Sequence, residues 1–305
     1  STPWTYLFFF DGTPPAPPGP AIDQSGSASG VWQKTTAAPA FRWPDGAEVG
    51  SGLTGFDVYF GSDPDGTGAT HFNGLVYSPG AQADGAYYLR ARSKDLAGNT
   101  SAWATLYVFQ YDATPPGLPG NAADSQGSVS GVWQDAVGAP EFTWLDSVDP
   151  LSGLAGYRVY WGADPSGTTV ITTTAGAAFA PGAQAEGAHY LRACAVDAAG
   201  NASAWTTLFV FRYDAAPPAF APDYTALAED GVISGTWGAD SGLAFTWEAS
   251  DAGQGVDHYQ VYFGPDPAGT TVMASPTAAE HAYTATMAEP GLNYLRLRAV
   301  DALGH

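Results

Sequence analysis

The chain has 305 residues, which is enough for two or three ordinary domains. Its 45% hydrophobic and 13% aromatic content excludes a disordered chain, and its 38 Gly and 24 Pro favour an all-β fold with many turns. Only 10 Lys and Arg oppose 30 Asp and Glu, so the formal charge of −20 argues against a nucleic-acid or anionic-membrane partner. No apolar run reaches the length of a membrane span.

The first predicted element is a very apolar strand at residues 1–11, which is followed by Pro14–Pro15. Similar strands occur at Ser101–Asp112 and Ser203–Asp214, and each is again followed by a pair of prolines. The large apolar side chains of the first strand are Trp4, Tyr6, Leu7, Phe8, Phe9 and Phe10. A strand of this composition needs a sandwich core to cover it.

Three copies of one pattern follow along the chain. Each begins with SGVWQ or SGTWG, at Ser29–Gln33, Ser130–Gln134 and Ser234–Gly238, and continues with a short strand that contains a Trp. A VYFG or VYWG strand, an Asp-Pro-x-Gly turn and a YLR strand that ends in an Asp come next in every copy. This periodicity predicts repeats at 12–112, 113–214 and 215–305, with 1–11 as a separate strand.

The long strands alternate apolar and polar residues, which is typical of a strand with one buried face. In one of them the inward set is Tyr157, Val159 and Trp161. In the last strand the inward set is Leu295, Leu297 and Ala299. Short strands separated by turns, with no helical periodicity, predict two-sheet sandwiches.

These residues resemble fibronectin type III and bacterial immunoglobulin-like surface repeats along the whole chain. The resemblance rests on the early-strand Trp (Trp43, Trp144 and Trp247), on the SGL-x-GY-x-VYWG passage, and on the AVDAAGN end of the YLR strand. It implies three tandem immunoglobulin-like β-sandwiches in an extracellular, non-enzymatic surface protein.

The third repeat reaches His305 without the apolar last strand that closes the other two, while 1–11 supplies such a strand at the opposite end. We therefore expect residues 1–11 to act as a donor strand for the third repeat of a neighbouring copy. Leu295, Leu297 and Ala299 would line the acceptor groove. Head-to-tail addition of this kind builds a filament. The alternative is one period of a longer covalent repeat chain, which also makes a fibre.

The last strands are apolar on both faces, so a second contact is predicted for them. The aromatic face, with Tyr107, Phe109 and Tyr111 in the first repeat, is expected to lie outside the core beside Arg90 and Arg92. It would bundle filaments laterally, or the SGVWQ segment would fold over it.

No catalytic constellation recurs, because the five histidines stand singly and no nucleophile has a partner base. No cofactor is expected, with calcium as a possible ligand of acidic loops that pair Asp63 with Asp65, Asp146 with Asp149, and Asp251 with Asp257. Asn99 and Asn201 match the glycosylation sequon.

The sequence therefore predicts a structural subunit of an extracellular filament, pilus-like fibre or stalk. The alternative is an adhesin or carbohydrate-binding module, or the spacer of a secreted enzyme. Binding of glycans by the monomeric protein would favour the adhesin.

Overall fold

The computed structural model describes residues 3–220, 227–228, 234–238, 242–287 and 290–305. It contains β-strands and one 3-10 turn at Ala278–Glu280, so the predicted all-β class is confirmed. Two compact units are present. The first consists of Ser1–Leu118, Ser147–Tyr157 and Cys194–Ala204, and the second of Pro119–Asp146, Arg158–Ala193 and Trp205–His305. In the part described, no helix has the length and apolarity needed to cross a bilayer.

The first repeat, 12–112, forms two sheets. Its strands are β1 (Ile22–Asp23), β2 (Trp32–Gln33), β3 (Phe41–Arg42), β4 (Leu53–Gly61), β5 (Thr70–Phe72), β6 (Val76–Tyr77), β7 (Gly85–Asp95) and β8 (Ala104–Tyr111). One sheet has the order β1-β3-β6 and the other β2-β8-β7-β4-β5. Strand β2 runs parallel to β8, while the other pairs are antiparallel. A three-stranded sheet facing a five-stranded sheet is an immunoglobulin-like sandwich.

Aromatic side chains fill the space between these sheets. Phe41, Trp43 and Phe56 are at most 1% exposed, and the rings of Trp43 and Phe56 meet edge to face with centroids 5.7 Å apart. Because side chains alternate between the two faces of β7, Leu89 and Ala91 both point into the same core. Each large apolar side chain buried in this way contributes about 1.5–3 kcal/mol of transfer free energy.

A β-bulge in the last strand changes which side chains reach the core. Leu89 pairs with Tyr107 and Arg90 with Thr105, so Leu106 is the extra residue between them. Leu106, Tyr107 and Phe109 are consequently all buried, at 4%, 3% and 0% exposure. The second repeat repeats this pattern with Leu208, Phe209 and Phe211.

The predicted outer aromatic face of the last strands is therefore wrong, since Tyr107 and Phe109 pack inside. The alternative prediction, that the SGVWQ segment folds over this face, is wrong as well. Trp32–Gln33 instead extends the sheet beside β8 as an edge strand. A different aromatic residue meets the outward arginines. The guanidinium carbons of Arg90 and Arg92 lie 5.9 and 5.3 Å from the ring centroid of Trp103.

The second repeat, 113–214, has the same strand order. Its strands are β9 (Ala122–Asp124), β10 (Trp133–Gln134), β11 (Phe142–Trp144), β12 (Leu154–Gly162), β13 (Thr172–Thr174), β14 (Ala178–Phe179), β15 (Gly187–Asp197) and β16 (Thr206–Tyr213). They form the sheets β14-β11-β9 and β10-β16-β15-β12-β13. Tyr157 and Val159 are at most 1% exposed and Trp161 is half-buried, so the inward set predicted for β12 is confirmed.

The third repeat, 215–305, has a different sheet arrangement in its described residues. Its strands are β17 (Ala219–Phe220), β18 (Leu227–Ala228), β19 (Gly242–Thr246), β20 (Ala249–Ser250), β21 (Val256–Gly264), β22 (Ala282–Thr286) and β23 (Tyr294–Asp301). They form the sheets β17-β20, β18-β19-β22 and β21-β23. Within the described residues β23 pairs with β21 alone, whereas β7 and β15 each have strands on both sides.

Candidate functional site: acidic clusters at the repeat junctions

An aspartate stands at the start of every linker and contacts the repeat that follows. Asp112 comes directly after β8 and Asp214 directly after β16, while Asp11 holds the equivalent position before the first repeat. One carboxylate oxygen of each accepts a backbone N–H from a residue 40 positions later. The donors are Ser51 to Asp11 at 2.7 Å, Ser152 to Asp112 at 3.2 Å and Gln254 to Asp214 at 2.9 Å.

A second acidic residue lies in the loop before the first long strand of each repeat. Glu48, Asp149 and Asp251 occupy this position. Asp149 Oδ1 accepts the N–H groups of Leu151 and Gly153 at 3.1 and 2.8 Å, which closes the loop as an Asx turn. Asp251 Oδ1 closes its own loop in the same manner, with Gly253 and Gly255 as donors at 2.6 and 3.3 Å.

The third acidic residue ends the second long strand. Asp95, Asp197 and Asp301 are 1%, 1% and 2% exposed. Asp197 Oδ1 accepts the N–H of Asn201 at 2.7 Å. The Asn201 side-chain amide donates to Asp197 Oδ2 at 2.8 Å and to the carbonyl oxygen of Asp112 at 2.9 Å. The turn after this strand is therefore bonded directly to the linker aspartate.

At the first two junctions these three positions converge into one cluster, and at the third junction His305 takes the place of Asp251. In every cluster the potential ligand atoms of three side chains lie within 4.8 Å of one another. The clusters are Asp11, Glu48 and Asp95; Asp112, Asp149 and Asp197; and Asp214, Asp301 and His305. Two negative charges 4.8 Å apart repel by about 1 kcal/mol in water, and by about 3 kcal/mol at an effective dielectric constant of about 20.

Little positive charge offsets this repulsion. Among the ion pairs of the described residues, Asp301 pairs with His305 at 2.9 Å, and no Lys or Arg pairs with a cluster carboxylate. Burial raises the pKa of Asp214, and the negative charges of Asp251, Asp301 and Glu186 raise it further against the hydrogen bond from Gln254. The pKa of Glu48 is raised by burial and by the charges of Asp11 and Asp95. The first two clusters therefore concentrate negative charge that no ion pair of the described residues offsets.

The acidic loop pairs predicted from sequence are only partly used in this arrangement. Asp149 and Asp251 lie at the junctions, but Asp146 and Asp257 belong to none of the clusters, and Asp257 contacts His258 at 2.9 Å. Asp63 Oδ1 accepts the N–H of Asp65 at 2.9 Å inside an ordinary turn. Sequence reasoning missed the linker and strand-end aspartates as partners of one another. Their recurrence at one position in every repeat is the signal that marks them.

The two sequon asparagines are structural residues of the junctions. Asn201 is 6% exposed and uses both side-chain N–H groups in the bonds described above. Asn99 makes the equivalent bonds to the carbonyl of Asp11 at 3.1 Å and to Asp95 Oδ2 at 2.8 Å. A glycan on either amide would displace a bond between a linker and the next repeat, and glycosylation stays a prediction.

The predicted donor segment forms no strand from residue 3 to residue 10, and Ser1 and Thr2 lie outside the described residues. Its six large apolar side chains are 70–101% exposed: Trp4, Tyr6, Leu7, Phe8, Phe9 and Phe10. The predicted acceptor residues Leu295, Leu297 and Ala299 face the core of the third repeat, against Trp247, Tyr259 and Val261. Their pairing with a donor strand stays a prediction.

No family model matches the chain. It is 34% identical to Exoglucanase B of Cellulomonas fimi over 233 residues, which are 74% of this chain and 20% of that protein. It is 33% identical to Chitinase A1 of Niallia circulans over 180 residues, 58% of this chain and 24% of that one, and 29% identical to Endoglucanase B of Cellulomonas fimi over 287 residues, 89% and 25%. The chain thus spans about a fifth to a quarter of the length of these relatives.

Two solved structures are similar with low scores. The fibronectin(III)-like modules of Clostridium thermocellum CbhA give a TM-score of 0.33 at 14% identity, covering 64% of this chain and 95% of that one. The FN1–FN3 domains of chicken CNTN1 give 0.29 at 13% identity, covering 95% of both. The first two repeats are immunoglobulin-like, fibronectin III-like sandwiches by their own sheet order, which is the fold class that the sequence predicted. The relatives found are not named as filament subunits, so they give the filament interpretation no support.

Proposed function

We propose that these fibronectin III-like repeats are a non-catalytic spacer of a secreted enzyme that acts on an insoluble polysaccharide. One observation carries the proposal. The chain matches two glucanases and a chitinase, but over only 20–25% of their lengths, and its matching part is a tandem array of sandwiches. A non-catalytic module that enzymes with different substrates share fits this pattern better than a catalytic one.

The packing of the repeats supports a spacer. Several of the largest aromatic side chains of the first two repeats fill the cores, so these do not line a groove for a sugar chain. Phe109 and Phe211 are 0% exposed and Trp43 is 1% exposed. Sugar-binding sites need concave surfaces with a few convergent polar groups, whereas the polar groups that recur here meet at the linkers.

The linkers support the same role. A pair of prolines follows each linker aspartate, as in Pro115–Pro116 and Pro217–Pro218. Proline fixes its own φ angle and restricts the residue before it, so these short linkers are stiffer than Gly/Ser chains. Function outside the cell follows from the proposal, because an insoluble polysaccharide does not enter a cell.

The purified chain tests this proposal directly. It should release no reducing sugar from cellulose or chitin and should remain in the supernatant when those solids are pelleted. Bovine serum albumin provides the control for nonspecific retention. Saturable binding to either solid would instead support the carbohydrate-binding alternative, and sugar release would make the segment catalytic.

A filament subunit is the second candidate, and two observations favour it. In the described residues β23 has one free edge, and an exposed apolar segment at residues 3–10 has the composition of the strand that covers that edge in the other repeats. By equivalence with Leu106, Tyr107 and Phe109, the side chains that would enter the groove are Leu7, Phe8 and Phe10.

Electron microscopy and denaturing gels separate the two candidates. Strand exchange between copies predicts regular filaments, and a ladder on unheated SDS gels that collapses on boiling to a band at 31.5 kDa. A spacer predicts no filaments and no ladder.

A further inference from the structure

We propose that the repeat junctions bind calcium ions. At the first two junctions the ligands are the linker aspartate, the acidic residue of the loop before the first long strand, and the aspartate that ends the second long strand. At the third junction they are Asp214 and Asp301, with Asp251 beside Asp214. The second junction, with Asp112, Asp149 and Asp197, defines the site. This inference goes beyond the spacer role and does not depend on it.

The first argument is the construction of the cluster. Asp112 and Asp197 are 0% and 1% exposed, yet their carboxylate oxygens and one of Asp149 lie within 4.8 Å of one another. Like charges held this close in a buried place destabilise the fold unless something compensates them. No Lys or Arg of the described residues forms an ion pair with these three carboxylates. A bound cation supplies the missing charge.

The second argument is a buried oxygen that lacks a donor. Asp214, at the third junction, is 0% exposed, and its Oδ1 has no hydrogen-bond partner although Oδ2 accepts the N–H of Gln254. Buried carboxylate oxygens are normally satisfied, so a vacant one next to Asp301 points to a ligand that the protein itself does not provide. At the first junction Glu48 Oε1 is likewise buried without a partner.

The donor set selects the kind of ion. The first two clusters offer oxygen atoms only, from three carboxylates each. Calcium accepts six to eight oxygen ligands at about 2.3–2.6 Å in flexible geometry. Zinc prefers nitrogen and sulfur, and magnesium demands a regular octahedron in which it keeps several waters. At the third junction His305 Nδ1 is already bonded to Asp301 at 2.9 Å, and Asp251 is the acidic neighbour of Asp214 that supplies further oxygen.

The location of the ligands gives the ion a mechanical role. Asp112 belongs to the linker that leaves β8, whereas Asp149 and Asp197 belong to the loop before β12 and to the end of β15. An ion held by all three ties the end of one repeat to the start of the next. Calcium would then stiffen the linker beyond what the prolines and the Asn201 hydrogen bonds achieve.

Isothermal titration calorimetry and thermal unfolding test the proposal on the whole 305-residue chain. After removal of metal with EGTA, CaCl2 should bind at two to three sites per chain. Saturation should raise the melting temperature by about 5–10 °C, because a ligand that binds only the folded state stabilises it. MgCl2 and NaCl at matched ionic strength should give less than half of this rise. An equal rise with all three salts would mean charge screening and would overturn the proposal, as would no calcium binding.

Two variants assign the site. Asp197→Asn and Asp149→Asn each remove one carboxylate, and the second lies at a half-buried position that the fold tolerates more easily. Each should remove one calcium from the stoichiometry or weaken that site about tenfold or more. Asp65→Asn, an equal charge change in an exposed turn, should leave binding unchanged. If both junction variants keep full stoichiometry and affinity, the assignment is wrong. The spacer role is tested separately, by the pelleting and hydrolysis experiments, so neither result decides the other.

Discussion

Asp23 and Asp124 hold the same position at the start of the first two repeats, and each closes a loop with its carboxylate. Asp23 accepts the backbone N–H groups of Ser25 and Ala40 at 3.0 Å each and the hydroxyl groups of Ser25 and Ser27 at 2.6 and 2.5 Å. Burial by itself raises the pKa of Asp23, but the hydrogen bonds from Ser25, Ser27 and Ala40 outweigh it and leave the pKa below its usual 3.8.

This shift predicts a pH-dependent effect of Asp23→Asn. An acid with a lowered folded-state pKa stabilises the protein above the usual pKa, and that contribution disappears as the pH falls through the folded value. Asp23→Asn should therefore cost about 1–3 kcal/mol of unfolding free energy at pH 7, from lost charge-assisted hydrogen bonds. The difference from the unsubstituted protein should shrink at an acidic pH well below 3.8.

Urea unfolding at both pH values measures this difference. Asp65→Asn serves as the matched control, because Asp65 is exposed, and its substitution should change stability little at either pH. An equal cost of Asp23→Asn at pH 7 and at low pH would show that the negative charge is not what stabilises this loop.

At the scale of single strands, the bulge decides which residues form the core. Phe211→Ala should cost about 3–5 kcal/mol, because a fully buried ring is replaced by a cavity. Val210→Ala, the neighbouring residue on the opposite face, should cost about 1 kcal/mol or less. Denaturant unfolding followed by circular dichroism measures both. Similar costs for the two would contradict the register, as would a larger cost for Val210→Ala.

The free edge of β23 leads to a prediction about proteolysis. Arg296 and Arg298 are exposed on a strand with one partner, whereas the equivalent Arg192 is half-buried on β15 between two partners. Cleavage requires local opening, which costs less where a strand is paired on one side only. Brief trypsin treatment should therefore cut after Arg296 or Arg298 well before Arg192.

Mass spectrometry of the first fragments gives the order of cleavage. If trypsin cut after Arg296 and Arg298 as slowly as after Arg192, and faster once the protein was diluted, another copy would be covering the edge of β23. That result would favour the filament.

The strands also show what sequence can predict and what it cannot. Alternation placed Tyr157 and Val159 inside correctly, because a strand's two faces follow from its own residues. It failed for Tyr107 and Phe109, because Leu106 is an extra residue relative to β7 and one extra residue reverses every face beyond it. A bulge is set by the partner strand and leaves no mark on local alternation.

At the scale of the whole molecule, the recurrence of the linker aspartates was visible in the sequence, but their partners were not. Asp112 and Asp197 are separated by most of a repeat and meet only after the sandwich forms. The all-β, sandwich-like fold class depends on local patterns and was predictable. The acidic clusters depend on long-range contacts, which local sequence patterns do not show. The pair that the sequence did suggest, Asp63 with Asp65, is close in sequence and forms only a turn.

The spacer proposal implies an enzyme in which these repeats join other parts, and replacing the repeats there with a Gly/Ser linker of equal residue number tests the proposal most directly. Hydrolysis of a soluble oligosaccharide should be unchanged, since a spacer takes no part in the chemistry. Hydrolysis of insoluble cellulose or chitin should fall, because a flexible linker no longer holds the other parts at a fixed spacing. Loss of activity on the soluble substrate would contradict the account, as would unchanged activity on both substrates.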